Sequence, residues 1–555
     1  MKLLALMRKY DSNFWFIFLV YSALRLFLPF QAYWIWGDEA KYLACARSFP
    51  FNRMFNHSFY DYHPVFYPYM IRFFNIFFND HIAAIAVSFF SSVILFFVIY
   101  HLFMLFGLKK SSVYMALVYL AFNNILMFYS KLIFRYELFV CLFFLSFYMY
   151  VKGLTTAKYR FLLLSAIFGG LTFMTSDIMP FTLLPVLLGA FFIFRFNPRD
   201  KLSVQINKLV PIFLIVAIYC SCVILPKYII YTTHTYYAGG LEGRIERVCE
   251  FGLKQLLNPI YFPNSNAVWG DMVFRVNFNF SHIAEKLFQL VELHKYRGIF
   301  FRWTLLILMV IPVFLLLSRF LFPFGNPLRV RLKILKEHRV DVYLFIIVLG
   351  IVYPVIYEGT NPRYSIAAIP FMAYFLVRGI EIIFSLKQLK LVANRRLLKY
   401  IALITIFALA AFTLKRSHNF IFTLGRVEAC DKAGEFLNKL PKDGVLAEGL
   451  LSDALVYNCN KRVVTLPRSS VSGAAIEQTD LSIKIFDLHY ILLSEFWKIE
   501  SLAYPAIHYI RGNPDKFRLI GTVYENYDKG VSSNAIRRSD FFYIYEVQES
   551  FFSGK

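Results

Sequence analysis

HIAAIAVSFFSSVILFFVIYHLFMLF, residues 81–106, runs for 26 positions without one Asp, Glu, Lys or Arg. At 1.5 Å per residue a helix of that length reaches about 39 Å, more than the ~30 Å hydrocarbon core of a bilayer. Apolar runs at or near spanning length recur at 13–36, 112–129, 134–151, 160–175, 178–195, 209–230, 302–319, 341–357, 364–384 and 399–415. The chain therefore reads as a polytopic α-helical membrane protein with about eleven spanning helices. Composition agrees. Of 555 residues, 58% are hydrophobic, against about 45–50% in soluble chains. A single soluble core stops growing near ~250–300 residues, so lipid is the simpler solvent for so much apolar surface. The run at 13–36 has the charged start of a signal peptide but no small-residue cleavage site, and reads as an uncleaved anchor.

The loops give the topology. With Lys2, Arg8 and Lys9 in the cytoplasm, the alternate short loops collect Lys109 and Lys110; Lys152, Lys158 and Arg160; Arg195, Arg199, Lys201 and Lys208; six bases between Arg319 and Arg339; and five between Lys387 and Lys399. That places 23 bases inside, against only Lys131, Arg135 and Arg363 in the short loops opposite. Basic loops stay cytoplasmic, so the N-terminus is expected inside and residues 420–555 outside. The net charge of +24 follows from this distribution. Residues 420–555 carry 16 bases and 17 acids, and the excess sits in the loops of the apolar part. A nucleic-acid partner is not needed to explain it.

Two domains are expected. Residues 1–419 form the membrane part, with external loops at 37–80 and 231–301. In the second loop Ile283, Leu287, Leu290 and Leu293 recur at helical spacing, which suits a helix lying flat on the bilayer or an ordinary loop helix. Residues 420–555 change character. A helical pattern at Glu428–Leu440 is followed by β-type runs at Lys461–Leu466, Tyr490–Leu493, Phe517–Val523 and Phe541–Val547, punctuated by Pro-Lys-Asp-Gly and Gly-Asn-Pro-Asp turns. This reads as a soluble extracytoplasmic α/β domain. Among seven cysteines there is no CxxC; Cys430 and Cys459 share this domain, and a disulfide between them stays open.

Four short segments on the external side carry the polar chemistry. Asp38 and Glu39 follow Trp34-Ile35-Trp36 where the first run leaves the hydrocarbon. His63-Pro64 opens a further amphipathic segment. Lys131, Arg135 and Glu137 lie in and just after the turn between the third and fourth runs. Arg363 and Tyr364 lie in the turn before the tenth. Each alone has a plain explanation: a solvated helix end, a polar loop, a snorkelling base, a capped turn. Together they bring acid, imidazole and cations to one membrane face, as handling a phosphate-bearing lipid requires. Arg25, mid-span in the first run, is costly in lipid. It stands about 20 Å along a helix from Asp38, so it is expected to pair within the bundle.

Asp38-Glu39-Ala40-Lys41-Tyr42, the His-Pro turn, Arg135-Tyr136-Glu137, Gly169-Gly170-Leu171-Thr172-Phe173-Met174-Thr175 and Asn361-Pro362-Arg363-Tyr364-Ser365 through Pro370 resemble the GT-C glycosyltransferases. The branch is that of protein O-mannosyltransferases and the aminoarabinose transferase of lipid A. The resemblance covers roughly residues 10–385 and is most specific at Asp38-Glu39. It implies a polyprenyl-phosphate-linked sugar as donor, transfer on the extracytoplasmic face and Asp38 as catalytic base, with Glu39 beside it. Two departures bear on the donor. His63-Pro64 stands where related bacterial members often have Lys-Pro-Pro, and Ser176-Asp177 follows Met174-Thr175 where many have Thr-Lys-Gly.

The expected function is an inverting glycosyltransferase moving that sugar to a cell-envelope glycolipid, glycan or protein, in the bacterial inner membrane. His63, Lys131, Arg135, Glu137, Arg363 and Tyr364 would contact donor or substrate. No cofactor is expected beyond the lipid-linked sugar, and no required metal, because the chain shows no Asp-rich cluster. A transporter or flippase of lipid-linked sugars is the main rival, though it calls for repeat-related ionisable groups near the midplane, and no repeat is evident. A non-catalytic scaffold is a second.

Overall fold

The computed structural model of the chain describes residues 10–27, 42–43, 46, 66–123, 126–127, 130, 133, 135–176, 183–194, 202–221, 338–358, 366–385, 428–447, 455, 459–466, 472–494, 504–524 and 541–553. The expected spans at 302–319 and 399–415 and the loop at 231–301 lie outside them. So does the side chain of Cys430, on which the disulfide with Cys459 depends. The chain divides into two compact units: Met1–Leu28, Ser88–Lys131 and Arg135–Ser417 in one, Pro29–Val87, Leu132–Phe134 and His418–Lys555 in the other.

The first unit is helical. Its described helices are α1 (Ser12–Phe27), α3 (Asp80–Leu105, which begins in the other unit), α4 (Lys110–Ala121), α5 (Tyr136–Thr156), α6 (Tyr159–Phe173), α7 (Leu183–Phe194), α8 (Leu202–Tyr219), α9 (Arg339–Glu358) and α10 (Ala368–Ser385); α2 (Phe66–Phe74) belongs with the second unit. Among the described residues α3 and α5 are both long and apolar enough to cross a membrane, and α1, α6, α7 and α8 hold shorter apolar stretches. Large apolar side chains face outward from this bundle: Phe16 and Phe213 are 65% exposed and Ile346 62%. Water would penalise that surface and lipid does not.

Packing follows from small residues. Gly169 and Gly170, inside α6, have no side chain where α8 crosses. A Cβ on Gly169 would strike the Ile215 side chain, and one on Gly170 would meet Ile218 Cδ1 at 2.7 Å. The Gly-Gly pair thus lets two helices approach closely, as small residues do in membranes. α5 packs along α6 and α7, and α4 lies against α1 and α10. One end of α10 is tied down by charge. Asp341 accepts from Tyr374 Oη at 2.7 Å, from His338 Nδ1 at 3.1 Å and from Arg378 Nε at 3.3 Å. Arg378 also donates to Glu381 at 2.8 Å, and Glu381 accepts the Lys109 amide at 3.0 Å. A buried carboxylate with this many donors is a satisfied one.

In the second unit five strands form one sheet in the order β2-β1-β3-β5-β4: β1 (Val445–Ala447), β2 (Val463–Thr465), β3 (Tyr490–Ser494), β4 (Phe517–Tyr524) and β5 (Phe541–Val547). β2, β1 and β3 are parallel; β5 pairs antiparallel with β3 and β4. α11 (Glu428–Asn438), α12 (Ser472–Phe486), α13 (Tyr504–Gly512) and α14 (Glu549–Ser553) accompany it. Ala433 and Leu437 of α11 join Val445, Val463, Leu492 and Ile544 in one buried cluster. The amphipathic segment after His63 is α2, which buries Tyr67, Pro68 and Ile71. Tyr67 meets the Tyr42 ring edge-on at 5.0 Å.

Candidate functional site

Asp38, Glu39, His63, Lys131, Arg363 and Tyr364 lie outside the described residues, as does Asp177. Arg135 and Glu137 lie within them, at the start of α5. Arg135 takes a helical conformation as the N-cap of α5, and its carbonyl accepts the Phe139 amide at 2.9 Å. Glu137 stands in the first turn, where the positive end of the helix dipole favours an acid.

The sequence places this segment in a short external turn. In the structure its described residues are shielded from solvent. Every described residue from Asn123 to Arg135 is buried, including Asn123 at 6%, Ser130 at 1% and Arg135 at 5% exposure. α4 itself is twelve residues, about 18 Å at 1.5 Å per residue, shorter than a full span. A further helical turn opens at Asn123: the Met127 amide donates to the Asn123 carbonyl at 2.9 Å and the Ser130 amide to the Leu126 carbonyl at 3.0 Å. Asn123 Oδ1 accepts the Leu126 amide at 3.1 Å as an N-cap does, and Ser130 Oγ donates to the Met127 carbonyl at 2.8 Å.

Around this connection four helices share one polar cluster. Glu137 is fully buried, and its Oε2 accepts the Ser92 hydroxyl of α3 at 2.9 Å. The Ser92 carbonyl accepts the Tyr21 hydroxyl of α1 at 3.1 Å. The Arg25 guanidinium stacks over the Tyr21 ring at 3.5 Å. Its Nη1 and Nη2 donate to the Ala121 and Leu120 carbonyls at 3.5 and 3.4 Å, at the C-terminal end of α4. Arg25, 1% exposed, thus finds its partners inside the bundle. Glu137 Oε1, Ser88 Oγ and Arg25 Nε are buried polar atoms with no hydrogen-bond partner. Ser88 and Ser92 are one turn apart on α3, so they share a helix face. The sequence reading passed over Tyr21 and Ser92. The available signal was Ser88-Phe-Phe-Ser91-Ser92, three hydroxyls in an otherwise apolar span. Among the described residues no group of three His, Cys, Asp or Glu is placed to hold a metal ion.

No protein-family profile matches the chain, and no curated protein matches it in sequence. Its fold is similar to that of solved structures. ArnT from Cupriavidus metallidurans bound to undecaprenyl phosphate superimposes with a TM-score of 0.51 at 12% identity, covering 96% of this chain and 98% of that one. ArnT of the same organism in the apo state gives 0.41 at 12% identity, over 96% and 97%. The first likeness extends over nearly the whole of both chains and assigns the fold: an ArnT-like polytopic membrane protein. The fold likeness is to ArnT, an aminoarabinose transferase of the kind that the motifs around Asp38 resemble.

Proposed function

We propose that the chain is an inverting glycosyltransferase of the bacterial inner membrane, taking a sugar from a polyprenyl-phosphate donor. The acceptor is a cell-envelope glycolipid, glycan or protein on the extracytoplasmic face, where residues 420–555 also lie. The observation that carries this reading is the fold likeness, end to end, to a protein solved with undecaprenyl phosphate. The sequence supplies residues suited to the chemistry. Asp38 takes the proton from the acceptor hydroxyl as its oxygen bonds to the anomeric carbon. The bond from that carbon to the phosphate oxygen breaks, and its electron pair leaves with the phosphate monoester. The leaving group is stable as an anion, so the site needs cations rather than a general acid. Arg135, Lys131, Arg363 and His63 are assigned to it. No metal is invoked. One displacement gives one inversion.

The test uses purified full-length protein with an undecaprenyl-phosphate-linked sugar. Asp38→Asn should fold and lose about 10²–10⁴ of the activity, the usual worth of a positioned base. Glu39→Gln should lose less. The product should carry the anomeric configuration opposite to the donor's. Retained configuration would sink the single displacement. A fully active Asp38→Asn protein would remove the base and put a flippase of lipid-linked sugars ahead.

A further inference from the structure

Arg25 holds two consecutive carbonyls at the end of α4 with the two arms of one guanidinium. Those carbonyls are among the last four of the helix; the Leu120 carbonyl also accepts the Asn123 amide at 3.4 Å, and a cation is favoured there. Both contacts are long for hydrogen bonds; the full charge is what gives them weight. Between Ala121 and Arg135 the described residues from Asn123 on are buried. The other end of that connection is held by the same cluster, through Glu137, Ser92 and Tyr21.

We propose that Arg25 is a positioning residue: by clasping the end of α4 it fixes that end against the start of α5, where Arg135 stands, and so sets how tightly the chain holds a lipid phosphate. This rests on the reading of Arg135 as a donor-phosphate contact. The guanidinium suits the task because its fork spans two acceptors. A lysine ammonium keeps the charge but is a point donor.

The experiment measures undecaprenyl phosphate binding by purified full-length protein, per folded molecule, with melting in detergent followed alongside. Arg25→Lys should fold and bind about tenfold more weakly. Arg25→Met should bind more weakly still, so that lysine rescues in part. Wild-type binding in both folded variants would overturn the proposal. Loss of folded protein in both would also overturn it, by making Arg25 purely structural. If Arg25→Met alone fails to fold, Arg25→Lys decides. A second readout separates this inference from the functional reading. Ser130, 1% exposed, sits in the connection, and Ser130→Cys should resist a water-soluble maleimide, read against protein without that substitution. Adding Arg25→Lys should speed its labelling. A wild-type protein that binds no undecaprenyl phosphate sinks the functional reading, whereas unchanged labelling sinks the clasp.

Discussion

The Ser92 hydroxyl of α3 donates to Glu137 Oε2 of α5 at 2.9 Å, the one protein hydrogen bond to that carboxylate's oxygens among the described residues. Ser92 lies near the middle of α3, so the start of α5 stands level with the middle of its neighbour. Removing the hydroxyl leaves a fully buried carboxylate with neither oxygen paired. An unsatisfied buried polar group costs about 1–3 kcal/mol, more when charged. Ser92→Ala should therefore lower the melting temperature in detergent, and Ser92→Thr should restore most of it. Equal melting of Ser92→Ala and wild type would show that the hydroxyl carries no weight.

Arg135 is buried at the start of α5. If it contacts the donor phosphate, Arg135→Ala should weaken donor use by roughly 10–150-fold, the equivalent of about 1.5–3 kcal/mol for a hydrogen bond to a charged group. Arg135→Lys should recover only part, because a bidentate fork becomes a single point. Titrating the donor against each variant, with melting as a check on folding, gives the answer. A folded Arg135→Ala protein with normal donor affinity takes this residue out of the site.

Asp11, just before α1, makes a prediction about pH. It receives the Lys110 ammonium at 2.7 Å, the Tyr114 hydroxyl at 2.6 Å and the Phe14 amide at 3.0 Å. The Lys110 hydrogen bond first, then those from Tyr114 and the Phe14 amide, hold its carboxyl at about 2, below the usual 3.8. A folded value below the unfolded one means stability that is complete above about pH 4 and lost as pH falls through about 2. The side chain is 38% exposed, so solvent screens the gain. Asp11→Asn keeps a cap for the Phe14 amide and removes the charge. It should melt below wild type at neutral pH, and the gap should close toward pH 2. A gap that stays constant over that range would assign the effect to something other than ionisation.

The membrane class was legible because a charge-free run such as 81–106 has few other readings. The β-type runs at 461–466, 490–493, 517–523 and 541–547 hold β2 through β5. β1 escaped notice because Val445–Ala447 is three residues long and buried throughout, too short for a period of two to show. The burial of the described residues before Arg135 was not legible. Hydropathy reports which residues suit lipid, while the end of α4 is followed by Asn123 capping a new turn. The partners of Arg25 were hidden for a related reason. Its cost in lipid was plain from sequence, but the acceptors are backbone carbonyls, which no side-chain pattern marks.

The Pro-Lys-Asp-Gly turn was read from its residue types, and Gly444 shows why glycine stands there. Its φ is +82°, the left-handed region that costs other residues roughly 1–2 kcal/mol. A Cβ would lie 2.6 Å from the Asp487 carbonyl oxygen and 3.0 Å from Leu488 Cα. Both are backbone atoms and cannot swing aside as a side chain would. The Gly444 carbonyl in turn accepts the His489 and Tyr490 amides at 3.1 Å each, so any shift disturbs the entry of β1 beside β3. Gly444→Ala should destabilise the sheet by about 2–4 kcal/mol, conformational strain and clash together. Gly512, at the end of α13, is the control: nothing lies within 4 Å of its added Cβ, and Gly512→Ala should stay within about 0.5 kcal/mol of wild type. Pulse proteolysis of the full-length protein in increasing urea reads both. If Gly444→Ala and Gly512→Ala resist equally, the left-handed turn does not hold β1 in register, and the close backbone approach at Asp487 has room to relax.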